Sequence, residues 1–265
     1  MIYLHKLTLS IILGIIEGVT EFLPISSTGH MILVSHWLKV ESNHENTLEI
    51  FVQLGSSLAI LYFFRKKISE IIIYKNNFLN INTKNIHILI SIVPTILIGF
   101  LYYKEIKTLF KIYNVMYSLI LGGFFLLICE IFKPKKHKVN NIVNISFLQC
   151  IIIGFFQIFS LYPGFSRSGA TIGTAILLGI KRSTAIEFSF IISIPLLIGA
   201  SLFDLINNIN KIKILDMPVF LFGFIISFVI ASLFIKKLLK LINKTSLIFF
   251  GIYRFILSAL IYLTN

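Results

Sequence analysis

The apolar residues of this chain come in blocks of about 20, and one such block is long enough to cross a bilayer as a helix. A chain built from several of them is an integral membrane protein. Composition agrees. Of the 265 residues, 57% are hydrophobic and 13% are charged, whereas a soluble domain has roughly a quarter of its residues charged. Mean hydropathy is +0.92. A soluble globular enzyme, a disordered chain and a fibrous protein are excluded. The net charge of +13 would point a soluble chain toward nucleic acid. Here Lys and Arg sit mostly between the apolar blocks, where they set orientation and touch anionic lipid. The expected partner is the lipid bilayer, and no nucleic acid. Cys129 and Cys150 are too few for a disulfide framework and read as small core residues. The first apolar stretch is expected to stay in the mature chain, since no cleavage pattern follows it.

Six stretches read as ordinary transmembrane helices, at about 47–64, 86–103, 113–132, 184–203, 218–235 and 246–263. Two longer apolar stretches, about 8–38 and 145–180, are broken in the middle. The first break is Pro24-Ile25-Ser26-Ser27-Thr28-Gly29-His30. The second is Pro163-Gly164-Phe165-Ser166-Arg167-Ser168-Gly169. Pro and Gly end helices, and Ser and Thr cap the helix that follows. Each stretch therefore reads as two half-helices around a polar loop. Such backbone is tolerated at membrane depth only inside protein or beside a wet cavity.

The two breaks resemble each other. At an offset of 140, Gly14 and Glu17 fall on Gly154 and Gln157, and Ser26, Thr28 and Gly29 fall on Ser166, Ser168 and Gly169. Glu49 and Glu187 also occupy matching places and are expected to support the loops, with Gln53 lining a cavity. The chain reads as one integral membrane domain, 1–265. It divides into repeat half 1 (about 1–132), a polar linker (133–144) and repeat half 2 (about 145–265). If each broken pair is re-entrant, the halves have inverted topology, and the fold class is an all-α polytopic membrane protein. On that topology fifteen Lys and Arg fall on one face and seven on the other. The positive-inside rule then places the fifteen in the cytoplasm and both termini outside. Lys181-Arg182 reads as a cytoplasmic flank.

Ionisable side chains inside apolar segments are costly and mark function. Glu17 and Glu21 share one face of the first half-helix. A bridging metal, neutralisation by Arg167 or protonation of one carboxyl would relieve their repulsion. Arg167 stands at a helix start, where free amides and a planar guanidinium suit an oxyanion. Ser166, Ser168 and Thr171 add hydroxyl donors. His30 follows Ser26 and Ser27 and can act as base, acid or nucleophile. Arg254, in the last span, has no obvious sequence partner. Walker loops, a dinucleotide fingerprint and zinc motifs are lacking. This inventory fits an anionic phosphate group, and a site among spans suggests a substrate that arrives through lipid. A lipid phosphate or diphosphate hydrolase follows; a carrier or flippase for an anionic polyprenyl phosphate lipid is the alternative from the same residues.

The segments Glu17–His30 and Pro163–Thr171 also resemble the two signature motifs of the bacterial undecaprenyl-diphosphatase (bacitracin-resistance) family, along essentially the whole chain. The resemblance implies hydrolysis of undecaprenyl diphosphate to undecaprenyl phosphate and inorganic phosphate, recycling the lipid carrier for envelope synthesis. It implies a divalent cation, Mg2+ or Ca2+, and a multi-pass protein of the bacterial inner membrane whose site faces the exterior. By position, Glu17 and Glu21 match the acidic pair proposed for metal binding or activation. Ser27 matches the candidate nucleophile, with a His30 nucleophile or a metal-activated water left open by the sequence; His30 matches the candidate base or proton donor, and Arg167 the phosphate-binding residue. Ser26, Ser166, Ser168 and Thr171 are expected as further phosphate ligands. A homodimer is one assembly open to such a bundle.

Overall fold

The computed structural model describes residues 2–38, 42–73, 83–209, 212 and 214–264. Apart from one β-bridge, Val139 to Ile180, the regular structure among them is helical. Eleven α-helices run in chain order: α1 (Ile2–Thr20), α2 (Ser27–Trp37), α3 (Ser42–Ile73), α4 (Thr83–Leu101), α5 (Tyr103–Thr108), α6 (Ile112–Ile131), α7 (Phe147–Gln157), α8 (Arg167–Leu177), α9 (Arg182–Asn208), α10 (Met217–Lys244) and α11 (Leu247–Thr264).

Among the described residues five helices are long and apolar enough to span a membrane: α3, α6, α9, α10 and α11. The sixth expected span, 86–103, is α4. Its apolar part, Ile86–Leu101, is shorter, about 24 Å at 1.5 Å per residue against a hydrocarbon core of about 30 Å. The chain turns at Tyr102 into α5 before completing that length. Elsewhere the helices overrun their expected ends. α3 continues through Arg65, Lys66 and Lys67 to Ile73, and α10 through Lys236, Lys237 and Lys240 to Lys244. Lys and Arg are good helix formers, so charge ends the apolar run without ending the helix. Lys39, Lys75, Lys211 and Lys213, which enter the charge count, lie outside the described residues.

Both broken stretches form helix pairs. α1 and α2 flank the first loop, and α7 and α8 flank the second, with a 3-10 turn at Ile158–Leu161 following α7. Ser26 and Ser166 cap α2 and α8, each accepting from the amide of the glycine three residues on, Gly29 and Gly169, at 3.1 Å. Both serines sit at positive φ, 71° and 73°, and they are the only non-glycine residues that do so among those described. Positive φ is rare for such residues and costs energy unless the surroundings enforce it.

Close helix approach holds the frame. α1 and α3 pack on α10, α11 packs on α6, and α8 is enclosed by α6, α7 and α9. At the α1–α10 contact a side chain on Gly14 would begin 2.9 Å from the Gly223 carbonyl oxygen. One on Gly18 would begin 2.9 Å from that of Ser227. Small residues let membrane helices approach this closely.

Polar bonds fix the ends. Arg182, read from sequence as a cytoplasmic flank, makes a partly buried ion pair with Glu130 at 2.5 Å and donates to the Thr245 carbonyl at 2.6 Å. Glu130 also accepts from Lys133 Nζ and the Leu247 amide. One carboxylate thereby joins α6, α9 and the α10–α11 turn. Glu187, expected to support the loops, pairs with Lys67 and ties α9 to α3. The 133–144 linker is held as well: Lys181 N donates to Val139 O at 2.8 Å and Thr184 Oγ1 to Asn140 O at 2.7 Å.

Gly18→Val is expected to push α1 off α10 and destabilise the fold by about 1–3 kcal/mol, as overpacking of a close contact does. A lowered Tm in detergent checks this; an unchanged Tm would contradict the tight contact.

Candidate active site

The two broken loops meet. Arg167, first residue of α8, sends Nη2 to Glu21 Oε1 at 2.7 Å. The other Glu21 oxygen, Oε2, accepts from Ser27 Oγ at 2.6 Å. Ser168 Oγ donates to the Leu23 carbonyl at 3.0 Å, and Ser166 Oγ lies 3.1 Å from Ser168 Oγ. Arg167 and Glu21 are buried, at 8% exposure each. Of the three ways to relieve the Glu17–Glu21 repulsion, neutralisation of one carboxylate by Arg167 is the one these contacts display for Glu21.

These residues open on a cavity of about 420 Å³, within the size range of small-molecule sites. Glu21, Ser26, Ser27, Thr28, Ser166, Arg167 and Ser168 line it, as does Gln53. Leu23, Ile96, Phe100, Leu197 and Phe203 supply apolar wall. Ser27 and Thr28 begin α2, and Arg167 and Ser168 begin α8. First-turn amides lack partners within their own helix, so two helix N-termini at one cavity make a place for an anion.

Other expected site residues stand behind this surface. Glu17 is fully buried and does not line the cavity. Its Oε1 accepts from Ser56 Oγ at 2.7 Å, and its Oε2 has no hydrogen-bond partner among the described residues. Glu17 feels the charges of Glu21 and Glu49. No group of three or more His, Cys, Asp or Glu among the described residues is placed to hold a metal. Carboxylate oxygens are the donors that Mg2+ and Ca2+ take. A cation here would rest on the unpartnered oxygen of Glu17, on Glu21 and on oxygens of its ligand. Thr171 also lies outside the cavity lining; its Oγ1 is 2.5 Å from Ser189 Oγ. The Ser189 carbonyl accepts from Arg167 Nη1 at 3.2 Å, so Ser189 steadies Arg167 from the side. Gln53 Nε2 donates to Glu49 Oε1 at 3.3 Å, which ties the cavity wall to the buried Glu49.

Both ring nitrogens of His30 are engaged by other groups. Its Nδ1 lies 2.6 Å from the Ser26 carbonyl oxygen and its Nε2 lies 2.7 Å from Tyr253 Oη. A carbonyl only accepts, so Nδ1 carries a proton. His30 thus braces the strained Ser26 from one side while Tyr253, in α11, holds the ring.

Arg254 is the residue whose role sequence reasoning missed. It is fully buried. Its Nε donates to the Pro24 carbonyl at 3.0 Å, and its Nη2 donates to the Phe165 carbonyl at 2.6 Å. One guanidinium from α11 therefore pins both broken loops, each at the residue or residues just before its positive-φ serine. The signal was present as an Arg in an apolar span without a nearby acid; carbonyl partners supply the missing acceptors. Arg254→Met is expected to strand both carbonyls and lower stability by about 2–6 kcal/mol, at about 1–3 kcal/mol per buried unsatisfied group. Thermal unfolding in detergent measures it, and an unchanged Tm would mean that the loops hold without the pin.

Comparison with known proteins gives the family. The family model described as Bacitracin resistance protein BacA matches residues 10–260. A protein named undecaprenyl-diphosphatase from Buchnera aphidicola subsp. Acyrthosiphon pisum (strain 5A) is 67% identical over 265 residues, covering 100% of both chains. Another of that name, from Buchnera aphidicola subsp. Schizaphis graminum (strain Sg), is 55% identical over 262 residues, covering 99% of both. Both loops and every residue of the site fall within the matched region. The chain therefore belongs to the bacitracin resistance protein BacA family.

Proposed function

We propose that the protein hydrolyses undecaprenyl diphosphate to undecaprenyl phosphate and inorganic phosphate. The observation that carries this is the buried chain Arg167–Glu21–Ser27, assembled from both broken loops at one apolar-walled cavity. A diphosphate headgroup meets the cation, the hydroxyls and two helix N-termini there, while its isoprenoid meets the apolar wall.

The hydrogen bonds suggest roles. Ser27 Oγ already donates to Glu21 Oε2, so Glu21 is the group positioned to take the Ser27 proton. Ser27 Oγ forms a bond to the terminal phosphorus, and the bond from that phosphorus to the bridging oxygen breaks. Undecaprenyl phosphate leaves with the electron pair. Glu21 passes the proton to that leaving phosphate; water then attacks the phosphoserine while Glu21 takes a proton from it, the bond from phosphorus to Ser27 Oγ breaks, Glu21 returns the proton to Oγ, and inorganic phosphate departs. Arg167 stabilises charge on the transferring group; its buried Nε has no hydrogen-bond partner among the described residues. His30 acts on this reading by holding the Ser26 turn rather than by exchanging a proton with Ser27.

A divalent cation held by Glu17 and Glu21 would neutralise diphosphate charge when bound. Orientation follows the positive-inside count: the basic ends of α3 and α10 lie in the cytoplasm and both termini outside. On that orientation the two broken pairs are re-entrant halves of an inverted repeat in the bacterial inner membrane, with six spans around them and the site facing the exterior. The likeness of the Ser26 and Ser166 caps supports the repeat.

Phosphate release from undecaprenyl diphosphate by purified protein in detergent tests the proposal. Arg167→Ala, Glu21→Gln and Ser27→Ala are each expected to lower turnover by about 10²–10⁴-fold, and EDTA is expected to suppress it. Folded wild-type protein that binds the lipid and releases no phosphate would overturn the hydrolase reading in favour of a carrier. Turnover indifferent to EDTA would remove the cation.

A further inference from the structure

The cavity that holds Arg167 at one end carries a second cation at the other. Lys107, in α5, and Arg167 are the only Lys or Arg residues lining it among those described. Lys107 Nζ donates to Asp204 Oδ2 at 2.9 Å, and Tyr103 Oη donates to Asp204 Oδ1 at 2.7 Å. The pattern repeats the deep site, where one carboxylate, Glu21, holds one cation and one hydroxyl. The two ends differ in wetness. The Lys107 side chain is 33% exposed and that of Arg167 is 8% exposed. Lys107 is seated over the Phe110 ring, 4.9 Å from its centroid, so its ammonium is placed rather than loose. An ammonium has three donors, and among the described residues Asp204 accepts the one hydrogen bond that Lys107 Nζ donates.

We propose that Lys107 forms a second phosphate-binding site at the cavity rim, separate from the one at Arg167. The inference rests on the reading that the Arg167 end hydrolyses a lipid diphosphate. Two sources share the required chemistry: the terminal phosphate of an arriving lipid and the inorganic phosphate that leaves. Asp204 sets the strength of the site. Its negative charge competes with phosphate for Lys107, so an anion binds weakly and passes on. A purely mechanical link between α5 and α9 would behave differently, because loss of either partner would then have the same effect.

The test compares wild type with Lys107→Ala, Lys107→Arg and Asp204→Asn in detergent. Steady-state hydrolysis of undecaprenyl diphosphate is measured with inorganic phosphate as inhibitor, beside equilibrium dialysis of radiolabelled inorganic phosphate. For a leaving-phosphate site, Lys107→Ala weakens inhibition and dialysis binding by about ten-fold, the size of one charge-assisted contact. For an arriving-lipid site it raises KM by about ten-fold with kcat nearly constant. In either case Asp204→Asn shifts the same constant the opposite way, and Lys107→Arg restores it. Constants unchanged in both Lys107→Ala and Asp204→Asn, or moved in the same direction, would overturn the site while leaving the hydrolase reading intact. Phosphate binding that depends on Lys107 in a wild-type protein without turnover would do the reverse.

Discussion

Everything at the site depends on keeping two stretches of non-helical backbone buried among membrane helices. In such surroundings each unpaired amide or carbonyl is expensive. The protein meets the cost with side chains from elsewhere. Arg254 bonds the carbonyls of Pro24 and Phe165 together, Ser168 bonds that of Leu23, and His30 bonds that of Ser26. Two serines are thereby held at positive φ, and each caps the helix that it starts. Strain that would relax in a free loop persists because α11 and the opposite loop over-determine it.

That arrangement converts a structural necessity into chemistry. Breaking two helices within the bundle exposes two N-termini, and bringing the breaks together points both at one cavity. Glu21 arrives from the first loop and Arg167 from the second, so neither half holds a complete site. Their ion pair is buried, where charges interact strongly and isolated ones are not tolerated. Ser27 shares the same carboxylate. The apolar wall then suits a substrate with a hydrocarbon tail, and the exposed end at Lys107 gives the polar part of such a substrate a wet approach.

Much of this is legible in sequence because charges and breakers inside apolar runs have no local explanation. Glu21, Arg167 and the two Ser-rich breaks stand out for that reason, and they are what the structure brings together. Arg254 stands out as strongly, but its partners are backbone carbonyls 230 and 89 positions away, which leave no mark on composition or spacing. His30 beside Ser27 reads as a proton relay because the two are near in sequence. The helical frame sets the imidazole against the Ser26 carbonyl and Tyr253, contacts that only the packing of α11 reveals. Thr171 likewise belongs to the motif by position, yet helical geometry sends its hydroxyl to Ser189 and away from the cavity. Helix ends fared unevenly for a related reason: hydropathy marks where lipid ends, whereas α3 and α10 end where their hydrogen bonding stops.

The central claim is that Glu21 and Arg167 act as one unit across the two loops. A double-mutant cycle on phosphate release, Glu21→Gln with Arg167→Lys, tests it most directly. Strong non-additivity is predicted, with the double variant little worse than either single variant, as for residues that work together. Losses that add within about 0.5 kcal/mol would mean that the two residues act independently, and the joined-loop site would be wrong.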